Sequence, residues 1–87
     1  MKITEFFSEF KSTHSLHDNE RNQLSFISAV NKTLRDINRR FKTTYAAVVP
    51  TDISDTTEQD WLAIYETSIH IGVKYYMQLD GANSGEP

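Results

Sequence analysis

The stretch that most limits what this chain can fold into is residues 57–80, TEQDWLAIYETSIHIGVKYYMQLD. It contains no proline, and it holds the only tryptophan and three of the four tyrosines. Wound as a helix at about 100° per residue, it places Trp61, Tyr65, Ile69, Gly72, Tyr76 and Leu79 on one face. Leu62 and Val73 widen that face on one side; Ile64, Ser68, Ile71 and Tyr75 widen it on the other. The apolar arc is then roughly 200° wide, where a helix facing a single core needs roughly 100°. Such a helix is either central, packed on two sides, or it also meets another chain.

The chain has 87 residues, which is one domain, and a chain of that size buries only about 60–65% of its unfolded surface. Its own stability is therefore expected to be marginal. There is no cysteine, hence no disulfide framework and no thiolate metal site. The net charge of −3 argues against a general nucleic-acid binder. No apolar run approaches the roughly 20 residues of a membrane span. The opening MKITEFFSEF carries acidic residues within its apolar stretch, unlike a signal peptide. The expectation is a soluble, intracellular single domain.

Ahead of the aromatic stretch, residues 3–12 read as a short helix, with Ile3, Phe6, Phe7 and Phe10 within an arc of about 100°. It is either a lid over the core or an arm that docks on a neighbouring subunit. Ser15 followed by Asp18 fits a capping box, predicting a long helix over residues 16–42. Phe26, Ile27, Val30, Leu34, Ile37 and Phe41 form its apolar stripe, spaced for packing against another helix. Opposite them Arg21, Lys32, Arg35, Arg39 and Lys42 share an arc of roughly 80°, with Arg40 off that line. This is a solvated face, or a contact for an acidic surface or a phosphate backbone.

Residues 43–56 form an extended connection. Tyr45, Val48 and Val49 suit a strand, but Pro50 ends it and no second strand is visible. It must lie on a helix, pair with another copy, or stay mobile. Thr57 with Asp60 repeats the capping logic, Gly81 is a natural helix stop, and residues 82–87 have the composition of a flexible tail. The fold class is thus all-α: a small bundle of three helices, at about 3–12, 16–42 and 57–80, in one domain over 1–81. Charge is split along the chain. Residues 32–42 hold five basic residues and one acidic, and residues 52–80 hold six acidic and one basic.

Nothing in the sequence announces a reaction. There is no Gly-rich phosphate loop and no nucleophile elbow. His14 and His17 have HxxH spacing but lack the third and fourth ligands of a typical site. His70 falls on the polar side of the last helix, where exposure is expected. Glu58 and Asp60 are explained by the positive end of a helix. Neither an enzyme, a cofactor nor a metal is expected. Among binding modules, a helical nucleic-acid binder using the basic stripe lacks a second recognition helix or a stacking sheet.

The succession AVNKTLRDINRRF, a connection, and DISDTTEQDWLAIYETSIHIGVKYYMQLDG resembles the small head–tail connector, or head-completion, proteins of tailed bacteriophages. The resemblance covers residues 29–81. It implies an all-helical structural adaptor that forms a ring of about a dozen copies in the virion, made in the host cytoplasm. Its partners would be the portal protein, tail or neck proteins, and DNA threading the channel without sequence-specific binding. It further implies that Trp61, Tyr65, Ile69, Gly72, Tyr75 and Tyr76 divide between core and subunit interface. Arg35, Arg39 and Arg40 would meet an acidic neighbour or the channel. Many such proteins carry a further helix or arm after the glycine, where this chain has six residues. The alternative is a small regulatory or antitoxin-like module, dimeric through the same aromatic helix.

Overall fold

A computed structural model describes residues 1–49 and 58–79. It is all-α: α1 (Ile3–His14), α2 (Glu20–Phe41), α3 (Asp60–Ile64) and α4 (Glu66–Leu79). Among the described residues there is no strand, only an isolated antiparallel bridge between Lys2 and Glu58. The Thr57 cap, the Gly81 stop, the tail and the second half of the connection lie outside the described residues.

α1 starts where the Glu5 carboxylate accepts the Lys2 backbone N–H at 3.0 Å. Ile3, Phe6, Phe7 and Phe10 are all buried, so α1 closes over this chain's own core. Three of its phenylalanines surround Phe26 of α2, at centroid distances of 5.8, 4.6 and 5.7 Å. The helix runs to His14, two residues beyond the expected end. It stops because Ser15 takes a left-handed conformation (φ 52°) and the Leu16 N–H returns to the Lys11 carbonyl. That is a Schellman-type ending, and buried Leu16 seals it.

The expected capping box at Ser15 is therefore incorrect. Ser15 is consumed in ending α1, and the next helix begins at Glu20. Its cap is Asn19, whose Oδ1 accepts the Asn22 N–H at 2.8 Å. Lys42 ends α2 as Ser15 ends α1, left-handed at φ 56°, with the Thr43 N–H on the Asn38 carbonyl. A chain with only three glycines uses side-chain-bearing residues at both helix ends.

The single third helix is also a correction. It is divided at Tyr65, whose backbone (φ −113°, ψ 27°) leaves the helical region. Hydrogen bonds still pass through the bend, from the Tyr65 N–H to the Trp61 carbonyl and from the Ile69 N–H to the Tyr65 carbonyl. The bend sets the Tyr65 ring in a stack on Phe41 at 5.2 Å, with Tyr45 edge-on at 6.3 Å.

α2 is the spine. On one flank lies α4; on the other lies the first half of the connection, held by two asparagines. Asn31 donates to the Val48 carbonyl and accepts the Val48 N–H, both at 2.7 Å. Asn38 makes the same pair of bonds with Tyr45, at 3.0 and 3.1 Å. Seven helical residues rise about 10.5 Å, and three residues of extended backbone span about 9–10 Å. The two repeats match. This is how the connection satisfies backbone groups without a partner strand: it lies on a helix, the first of its three expected fates.

Asn31→Asp keeps the acceptor for the Val48 N–H but loses the donor to its carbonyl. It should cost about 1–3 kcal/mol in urea unfolding, the range for an unsatisfied group beside buried Val48. Asn31→Asp with unchanged stability would mean that the strap contributes nothing.

Candidate interaction surface

α2 and α4 approach each other closely at Gly72. A Cβ built on Gly72 would stand 2.6 Å from both Cγ2 and Oγ1 of Thr33, and 3.2 Å from its Cβ. Thr33 is buried, and its hydroxyl donates to the Ala29 carbonyl at 2.9 Å, so its side chain is fixed. The space that a side chain at position 72 would need is thus taken by Thr33 of α2 in the same chain.

From this contact the inner face of α4 follows. Ile69, Val73 and Met77 are buried, as are Trp61 and Leu62 of α3. Trp61 (4% exposed) and Ile69 (0%) face the chain's own core, on the core side of the expected division between core and interface. Tyr65 is half-buried in the stack with Phe41. Tyr76 is half-buried too, and its hydroxyl donates to Asp36 Oδ2 at 2.6 Å. That bond, then burial and the carboxylate's charge, push the Tyr76 phenol up from its ordinary value.

The outer face is different. Ile71, Tyr75 and Leu79, spaced four apart, are 63%, 56% and 66% exposed. They form an apolar stripe on the side of α4 away from its core. Beside it runs a groove of about 340 Å³ between α2 and α4, lined by Thr33, Ile37, Phe41, Ser68, Ile71 and Gly72. Asp36 and Arg40 edge it one helical turn apart. The small residues Ser68 and Gly72 line it on the α4 side. Of the residues proposed for contact from sequence, the structure brings Gly72 and Arg40 to the groove and Tyr75 to the stripe beside it. Ile71 and Leu79 were not among the residues singled out for contact, although both lie within the wide arc read from the sequence.

Arg35, Arg39 and Arg40 are all exposed on α2. Among the described residues no ion pair joins them to Glu58, Asp60 or Glu66; Glu58 pairs instead with the N-terminal amine, and Lys11 pairs with Asp18. Among the described residues, no cluster of three or more His, Cys, Asp or Glu is arranged to hold a metal, and no helix is long and apolar enough to cross a membrane. His70 departs from expectation: it is half-buried and bonded to His14.

Gly72→Ala gains about 1 kcal/mol of helix propensity. It should nonetheless lower stability, because overpacking a fixed site typically costs about 1–3 kcal/mol. Thr33→Ala removes the atoms it would strike, so in the double variant much of the loss should be recovered in a thermal-melt cycle. Additive losses would show that the clash is relieved elsewhere.

No family model, curated protein or solved structure matches this chain, so the reading of the surface rests on its own geometry.

Proposed function

We propose that this chain is a non-catalytic structural subunit that assembles with copies of itself through the outer face of α4. The observation that carries this is the stripe of Ile71, Tyr75 and Leu79 beside an apolar groove. Contiguous exposed apolar surface on a small domain marks an interaction site. Burying it would add stability to a chain whose own core is small.

The setting we propose is the one the sequence resemblance implies: a ring at a bacteriophage head–tail junction, between portal and tail, with DNA passing through its channel. A ring requires a head-to-tail interface made of two different surfaces. The split charge of the chain supports such a pairing. Arg35, Arg39 and Arg40 stand exposed on α2, while Glu58, Asp60 and Glu66 stand exposed at and beyond the start of α3. Complementary potentials of this kind favour one orientation of approach over others.

Ile71→Glu and Tyr75→Glu should abolish assembly while leaving the melting temperature nearly unchanged, since both side chains already face solvent. Sedimentation velocity over a concentration series, with and without a portal protein, reads the effect and the number of copies. A dimer would favour the regulatory module. A chain that stays monomeric at the highest concentration and assembles on no portal would sink the proposal.

Reversing Arg35, Arg39 and Arg40 together to glutamate should weaken assembly more than folding. Surface ion pairs contribute only about 0–1 kcal/mol each within a fold, whereas around a closed ring they recur at every interface. Circular dichroism melts beside electron micrographs separate the two effects. A collapse in melting temperature with assembly intact would make the stripe an intramolecular partner of the acidic half.

A further inference from the structure

Two histidines 56 residues apart in sequence meet at the seam between α1 and α4. Nε2 of His14 lies 2.9 Å from Nε2 of His70, in a partly buried setting. Phe10 packs against both rings, at 4.5 Å from His14 and 5.3 Å from His70, and Phe6 meets His70 edge-on at 6.2 Å. The polar contact is thus set into the aromatic cluster that anchors α1.

A hydrogen bond between two imidazole nitrogens needs one hydrogen and one lone pair. The neutral pair supplies them, and so does a pair that has taken up one extra proton. A doubly protonated pair cannot, because both Nε2 atoms then carry hydrogens and the two rings repel. The charges acting on His14 come from α4, from His70 and Lys74, and no carboxylate is among them. On α1, Lys11 is engaged with Asp18 at 2.8 Å and lies over the Phe7 ring. Asp18 in turn also accepts from Gln23 of α2, and the group that α2 brings to Phe10 is the uncharged ring of Phe26. A metal is a poorer occupant: two imidazoles fall short of the three or four protein ligands of a typical site, and no third group joins them among the described residues.

We infer that the pair of His14 and His70 is an acid-operated latch, which holds α1 against α4 when neutral and releases it when both rings are protonated. Release would uncover Phe6, Phe7 and Phe10, a second apolar surface distinct from the stripe on α4. This inference is independent of the proposed ring. Its direction with pH follows from His14, which is held below its ordinary value of 6.5, first by burial and then by His70 and Lys74. The released form therefore binds a proton more readily than the closed one. The latch contributes fully above about pH 6.5, and its contribution is lost as pH falls from there through the lowered value.

Amide hydrogen exchange of the whole chain at about pH 7.5 and about pH 5, corrected for intrinsic rates, tests this across the range in which histidine titrates. Amides of α1 should exchange faster at the lower pH, by a factor beyond that seen for the rest of the chain. Those of residues 30–37 in α2 should keep their protection. His70→Gln retains a hydrogen-bonding partner for His14 without a second charge, so it should keep α1 protected and lose the response; His14→Gln is the reciprocal control. Equal acceleration of α1 and α2, or a response that persists in both variants, would overturn the latch. Saturable protection of α1 by zinc at neutral pH would overturn it in favour of a metal site.

Discussion

The meeting of Gly72 with Thr33 sets the distance from which the other α2–α4 contacts follow. With no side chain at position 72, α4 lies close enough for its buried residues to reach the α2 stripe without leaving a void. The same proximity brings the Tyr76 hydroxyl to Asp36 at one end and lets Tyr65 stack on Phe41 at the other. It also creates the groove, because a helix drawn inward at Gly72 and Ser68 leaves Ile71 and Phe41 as its rims. Packing contact and candidate interface are thus two consequences of one missing Cβ.

What could be read from the sequence was the periodic part. The α2 stripe is buried as its spacing demanded from Phe26 to Ile37, and the four apolar residues of α1 all turned inward. Gly72 was legible as the one glycine on the apolar face of the last helix. The helix boundaries were not, and for a local reason. Ser15 and Asn19 both suit an N-cap, and only the three-dimensional path shows that Ser15 is taken by the left-handed end of α1. Sequence gives no sign of such an ending when the residue is not glycine. The bend at Tyr65 was hidden similarly, because the aromatic stack that accompanies it joins residues from α2 and the connection.

The width of the aromatic arc was plain, but not its partition. A helix wheel shows which side chains share a face; it does not show which part of a 200° arc a neighbour will cover. α2 and α1 cover the part centred on Ile69, Val73 and Met77, so Trp61 and Ile69 went inside while Ile71, Tyr75 and Leu79 stayed out. His70 was misplaced by the same ambiguity. On the wheel it sits at the polar edge, and it is the arrival of α1, with His14 and two phenylalanine rings, that encloses it.

Apolar burial stabilises a small fold without fixing its register, because the hydrophobic effect has no direction. In this chain several seams between elements carry a polar tie that has one. His14 and His70 join α1 to α4, and Tyr76 and Asp36 join α4 to α2. Asn31 and Asn38 join α2 to the connection, and the Gln59 N–H on the Met1 carbonyl joins the two leading ends. A slide of one helix turn, about 5.4 Å, would leave most apolar residues with some apolar neighbour. It would leave every one of these polar groups without its partner, at about 1–3 kcal/mol for each that stays buried. With so small a core, the ties select one arrangement from several that burial alone would tolerate. The seam tied by two imidazoles is then the one whose tie falls in the pH range in which histidine titrates.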